Sequence, residues 1–253
     1  MGERFCPADP CRILRAAGMT TLSPIPAVAA RTRSIAAIYF TALLQGCLGV
    51  VFPASSAILK ERLGLSDTLY GALFLPGLVL AFATSLSSRW LTRRTCLRRL
   101  FLFGLASQVA YAVLLAVAGS LDRTAGLPIL VVALAVSGPA GGIMGIALNT
   151  AAIELFPATR SHALSAMHGL LGVGAVIAPL LVAAFDSLGF WQGAPLLIAA
   201  AVFATWLAVE QTTVGGLDEM PDRTAGPGRI SRRLLARALT GFVYGASEAI
   251  LTA

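Results

Sequence analysis

Charge is what this chain lacks most. Asp, Glu, Lys and Arg make up 12% of its 253 residues, about half of the roughly 25% that a soluble domain carries. Hydrophobic residues make up 57%, and the mean hydropathy is +0.81. A soluble protein of this length could not cover its surface with so few charges, so composition points to an all-α, polytopic membrane protein. Histidine is scarcer still, with two residues. Neither His-Glu-x-x-His nor Gly-x-Ser-Gly occurs, so the common motifs of intramembrane zinc and serine enzymes are missing, and no enzyme is expected. Cys6, Cys11, Cys47 and Cys96 stand at spacings that match no zinc, haem or disulfide pattern, so neither a metal nor another cofactor is expected.

Long apolar runs are what the chain has instead. About 20 helical residues span the hydrocarbon of a bilayer, and six runs qualify: Ile35–Leu59, Thr68–Ser88, Leu100–Ser120, Gly126–Ile153, Ala163–Phe185 and Phe190–Val209. A seventh begins near Leu234. After Arg237 it has only Ala238–Ala253, about 24 Å of helix against a core of about 30 Å. The expected layout is a tail at 1–33, a six-helix bundle at 34–209, a polar linker at 210–233 and the start of a seventh helix at 234–253. The tail has no signal-peptide core, and Met19 competes with Met1 as the start.

A long polar linker after six helices matches a 6 + 6 transporter. The chain therefore reads as the N-terminal half of a longer transporter, inactive alone without its other half or a second copy. The alternative is a half-size six-helix protein acting as a homodimer or as a non-transporting scaffold.

The net charge is +7. No basic and aromatic residues interleave as on a nucleic-acid surface, so no nucleic-acid partner is expected. The cations orient the chain instead. With the N-terminus inside, sixteen Lys and Arg lie on the inner side and only Lys60, Arg62 and Arg123 lie outside. That asymmetry predicts a cytoplasmic N-terminus in a cell membrane, such as a bacterial inner membrane. The basic run Arg89–Arg99 has a second possible role, contact with anionic lipid headgroups.

Polar side chains inside apolar runs are costly and mark candidate sites. Gln45 lies near the middle of helix 1. Asn149 lies on helix 4 in register with Gly138, Gly141, Gly142 and Gly145, small residues that leave room for a ligand or a close neighbour. His168, on helix 5, is either a proton carrier or an interfacial residue. Glu248, in the seventh segment, is the one acidic residue deep in an apolar run and a second candidate proton carrier. Gly172, Gly174 and Pro179 offer either a bend for gating or a close-packing face. An internal echo links two helices: Gln45 stands eight residues before Pro53 in Phe52-Pro53-Ala54-Ser55, and Asn149 eight before Pro157 in Phe156-Pro157-Ala158-Thr159. Helices 1 and 4 are equivalent in a bundle of inverted 3 + 3 repeats.

Leu148-Asn149-Thr150-Ala151-Ala152, Ser165-Ala166-Met167-His168-Gly169 leading to Gly172-Val173-Gly174 and Pro179, Gly189-Phe190-Trp191 with Pro195, and Phe242-Val243-Tyr244-Gly245-Ala246-Ser247-Glu248 together resemble helices 4 to 7 of the major facilitator superfamily. Within it they are most similar to the fucose-permease-like sugar transporters. The resemblance implies a secondary transporter that moves a small polar solute, such as a sugar, by alternating access. Gln45, Asn149, Tyr244 and Glu248 would then contact the substrate.

Two departures stand out. The proton-coupled fucose permease has carboxylates in helices 1 and 4, where this chain has Gly49 and Asn149, and neither can release a proton. The family's helix 2–3 loop, Gly-x-x-x-Asp-Arg-x-Gly-Arg-Arg, is matched only by Ser85-x-x-x-Arg89-Trp90-x-Thr92-Arg93-Arg94. The basic residues Arg89, Arg93 and Arg94 survive as gating candidates without the family's Asp.

Overall fold

A computed structural model describes residues 24–211, except 88, 89 and 92–94. Eight helices are used here: α1 (Pro24–Ala54), α2 (Ser56–Leu63), α3 (Asp67–Ala72), α4 (Phe74–Leu86), α5 (Leu97–Ala118), α6 (Arg123–Leu155), α7 (Arg160–Ser187) and α8 (Gly193–Gln211). Among the described residues, six spans are long and apolar enough to cross a membrane: Arg31–Ala54, Asp67–Leu86, Leu97–Ala118, Arg123–Leu155, Arg160–Ser187 and Gly193–Gln211. The protein is an all-α polytopic membrane protein. Spans are numbered one to six below, and the side where the first begins is called the entry face.

The apolar runs become helices because only a helix satisfies every backbone N–H and C=O internally where no water is available. Helix ends follow local chemistry, and several differ from the sequence expectation. The first helix stops at Ala54 rather than Leu59. Pro53 has no N–H to offer the preceding turn, and Ser55 turns its backbone N–H (3.1 Å) and its hydroxyl (2.8 Å) onto the Val51 carbonyl. Helix α2 is thus a separate element. It ends at Gly64, whose left-handed φ of 59° lets its N–H reach the Lys60 carbonyl, a conformation glycine adopts without a Cβ penalty. The second span divides at Leu73 and starts where the Ser66 hydroxyl accepts the Leu69 N–H at 3.2 Å, as an N-cap should. The fourth and fifth spans run a few residues beyond the expected limits. The sixth starts later, because Phe190–Gln192 form the turn before it.

The first span packs mainly against the fifth, the fourth against the third and second, and the sixth against the third and first. Exchanging spans one, two and three for four, five and six maps these partnerships onto themselves, as inverted repeats require. Two glycine crossings repeat the symmetry. A Cβ on Gly174 would stand 1.9 Å from the Leu43 carbonyl oxygen, and one on Gly46 1.9 Å from that of Leu171, where the first and fifth spans cross. A Cβ on Gly138 would stand 2.0 Å from the Gly77 oxygen, and one on Gly77 2.7 Å from that of Leu134, where the fourth and second cross. Backbone meets backbone at both places, which only glycine permits.

Each face is closed by its own device. On the far face, Trp191 is fully buried and lies against Gly119, where a Cβ would approach the indole to 2.1 Å and Leu59 to 3.2 Å. On the entry face, two arginines bridge helices. The Arg31 guanidinium donates to the Leu155 carbonyl at 3.2 Å, and Arg98 donates to the Val209 (3.0 Å) and Glu210 (2.8 Å) carbonyls. Cations at helix C-termini satisfy open carbonyls and oppose the negative end of the dipole. Replacing Arg98 by alanine should therefore lower stability by roughly 1 kcal/mol. Thermal unfolding in detergent measures this, and Arg99→Ala serves as the comparison, since Arg99 is exposed.

Candidate functional site

The site candidates are held by helices that meet near the middle of the bundle. The first, second, third and fourth spans enclose a cavity of about 140 Å³. Gln45, Gly49 and Phe52 line it from the first span, Phe74 from the second, Gln108 and Tyr111 from the third, and Ser137 and Gly141 from the fourth. Gln45 and Gln108 stand near mid-span, whereas Phe52 and Phe74 lie toward the far face, so the cavity occupies the far half of the bundle. Among the described residues, no Asp, Glu, Lys, Arg or His lines it.

Gln45 is half-buried and accepts a short hydrogen bond from the Gln108 side-chain amide. Its own amide nitrogen sits over Gly141, where a Cβ would come to an ordinary contact of 3.5 Å. Gln108 is 2% exposed, and its carbonyl oxygen is buried without a partner. Ser137 donates to the Leu134 carbonyl at 2.7 Å. The aromatic wall is rigid: Phe52 stacks on Tyr70 at 4.8 Å and leans on Phe74 at 4.9 Å. The Tyr70 hydroxyl donates to the Phe52 carbonyl at 2.9 Å. Gly49 is exposed and has open space where a side chain would stand.

Asn149 lies apart from this cavity. Eight residues separate it from Gly141, about 12 Å along a helix toward the entry face. It is half-buried, and its amide donates to the Gly145 carbonyl one turn back at 2.7 Å. The glycines expected to clear space beside it play different parts. Gly138 and Gly142 press on the second span, Gly141 faces Gln45, and Gly145 alone has open space around it. The echoed motifs lie at the C-terminal ends of the first and fourth spans, hence on opposite faces.

On the fifth span the glycine ladder divides. Gly174 is buried in the crossing with the first span, whereas Gly172 and Pro179 are exposed on another face of the same unbroken helix. His168 is exposed as well. Arg89, Arg93, Arg94, Tyr244 and Glu248 lie outside the described residues. Sequence reasoning overlooked Gln108, although it sits mid-run in an apolar segment and falls under the rule that singled out Gln45 and Asn149.

Six membrane-length spans whose packing repeats as two triplets, with uncharged amides near mid-span, define a helical bundle of the secondary-transporter type. The chain belongs to the Major Facilitator Superfamily, whose family model matches residues 17–252. Members of that family are transporters rather than enzymes. No curated protein matches the chain.

Proposed function

We propose that the chain contributes one six-helix wall to a secondary transporter of a small neutral polar solute, a sugar or similar polyol. The observation that carries this reading is the uncharged cavity, in which the Gln45–Gln108 amide pair is the main polar feature. An ion entering it would lose its hydration without meeting a counter-charge, whereas amides and aromatic faces suit a neutral hydroxylated solute. The fucose-permease-like motifs at Leu148–Ala152 and Ser165–Pro179 support the same substrate class.

Transport requires a facing six-helix unit, either a continuation of the polypeptide or a second copy. The second and fifth spans, each only 17% buried, have the most room to receive one. Tyr244 and Glu248 would complete the site from that side, and Glu248 or His168 would carry any coupled proton. Arg89, Arg93 and Arg94 would gate at the loop between spans two and three. The positive-inside asymmetry supports a cytoplasmic entry face in a cell membrane.

Asn149 stands deeper along the path, where its side-chain oxygen would meet the solute during passage. Titrating the purified protein with neutral sugars should raise its unfolding temperature saturably. Gln45→Ala should weaken the response at least about tenfold, the size of one or two lost hydrogen bonds, whereas Asn149→Ala, outside the cavity, should slow transport and leave the binding response in place. A response that Gln45→Ala keeps would remove Gln45 from the site, and unchanged transport by Asn149→Ala would remove Asn149 from the path.

A further inference from the structure

We propose that the backbone carbonyl of Gly49, on the first span, is the acceptor that holds a hydroxyl of the solute. The proposal rests on the transporter reading above and names the atom that selects its substrate. In an α-helix each carbonyl accepts the N–H four residues further on. For Gly49 that residue is Pro53, which lies inside the same helix and has no N–H. The carbonyls that the helix end leaves open find other donors. Val51 accepts the Ser55 N–H at 3.1 Å and the Ser55 hydroxyl at 2.8 Å, and Phe52 accepts the Tyr70 hydroxyl at 2.9 Å. Among the described residues, no turn, cap or side-chain donor reaches the Gly49 oxygen. In a membrane span an open carbonyl is tolerated only where it is enclosed by protein or faces a water-filled cavity.

Helix geometry puts this oxygen on the cavity wall. Gly49 and Pro53 both line the cavity, and a helical carbonyl points from its own residue toward the one four further on. The Gly49 oxygen therefore lies between two lining residues. Gly49 is exposed, and a Cβ there would meet nothing within 4 Å, so its own residue casts no side chain over the oxygen. Packing does not require a glycine here, in contrast to Gly46 three residues earlier, where a Cβ would strike the Leu171 oxygen at 1.9 Å. Glycine inside a helix costs up to about 1 kcal/mol relative to alanine. One wall of the cavity thus carries a glycine without a packing role and, one turn on, the proline that strips its carbonyl. The echoed motif supplies the contrast. Asn149, Ile153 and Pro157 repeat the spacing of Gln45, Gly49 and Pro53. Ile153, however, is half-buried and stands two residues from the helix end at Leu155, where carbonyls lack intrahelical partners in any helix. Proline opens an otherwise paired carbonyl only in the first span.

A carbonyl oxygen can only accept, so the ligand group must donate. A hydroxyl does so without charge. An ammonium would donate too, but among the described residues no carboxylate lines the cavity to compensate it, and a metal cation would need several oxygens around it. The Gly49 carbonyl therefore selects a neutral solute by a hydroxyl proton.

The test uses the full chain in detergent, with unfolding temperature followed against sorbitol, glucose and galactose. At least one should stabilise the protein saturably. Pro53→Ala returns an N–H to the Gly49 carbonyl, so it should weaken that response roughly tenfold, as loss of one hydrogen bond does, while the ligand-free protein unfolds at the wild-type temperature or above it. If Pro53→Ala moves the ligand-free temperature and leaves the half-saturating concentration unchanged, the proline is structural and the proposal is overturned. Pro179→Ala is the comparison. It returns an N–H to Ala175 on the fifth span, which does not line the cavity, and should keep the full response. An equal loss there would assign the effect to helix bending and overturn the proposal. Gly49→Leu, which fills the open space beside the carbonyl, should abolish the response and decides the matter if Pro53→Ala does not fold. If Gln45→Ala weakens the response while Pro53→Ala and Gly49→Leu keep it, the carbonyl acceptor is overturned and the transporter reading stands. Absence of a response to all three probes overturns both.

Discussion

Replacing Gly174 by valine should separate the first and fifth spans and cost about 3 kcal/mol or more, the upper end for overpacking. The reason is what a side chain would strike. A Cβ at this position lies 1.9 Å from the Leu43 oxygen and 2.9 Å from the Cys47 nitrogen. Both are backbone atoms of a helix, which cannot swing aside as a side-chain tip can. The helices must therefore move apart, and the close van der Waals contact that drives association in lipid is lost along the crossing. Gly172, two residues away in the same helix, meets nothing within 4 Å, and Gly172→Ala should unfold at the wild-type temperature or slightly above it, because alanine favours helix. Denaturant titration in mixed micelles would measure both. Similar losses at the two positions would show that glycine serves helix flexibility here rather than close approach.

Trp191→Ala should cost roughly 3–5 kcal/mol, as large core aromatics do when truncated. The indole is fully buried and lies so close to Gly119 that a Cβ there would touch its ring at 2.1 Å. It joins the turn before the sixth span to the end of the third at Gly119, which Leu59 of α2 also approaches, so its loss leaves a void among far-face elements. Trp191→Phe should recover much of the loss, because the ring volume packs here while the indole N–H has no hydrogen-bond partner. A phenylalanine variant as unstable as the alanine one would mean that the N–H, and not the ring, holds the junction.

These two sites show how differently the sequence announces its parts. Trp191 stands in a Gly-Phe-Trp motif, yet nothing in the motif reveals that it plugs the space beside Gly119, 72 residues away in the chain. The glycines of the fifth span look like one ladder when read along the chain. Their separation into a packed Gly174 and an exposed Gly172 depends on which helix face meets the first span. The same holds for Gly138, Gly141, Gly142 and Gly145, which share a periodic stripe but face three different surroundings. Gln45 was recognisable as a costly amide in hydrocarbon, and Gln108 was recognisable on the same ground. Their pairing was not, because 63 residues separate them and no local pattern encodes which spans touch.

The sequence by itself determined that the protein is helical, how many spans the described chain has and how they alternate. Hydrocarbon demands about 20 apolar residues for each crossing and leaves the backbone no other partner than itself. The motifs from Leu148 onward were sufficient to point to the superfamily. Only the tertiary structure decided which polar groups share a site. It placed Gln45 with Gln108 in an uncharged cavity and left Asn149 about 12 Å further along its helix. The physical reason is that spans apolar on every side carry no periodic signal for their neighbours. Partners are chosen by where backbones can approach most closely, at Gly46 with Gly174 and at Gly77 with Gly138, and those crossings set which amides meet.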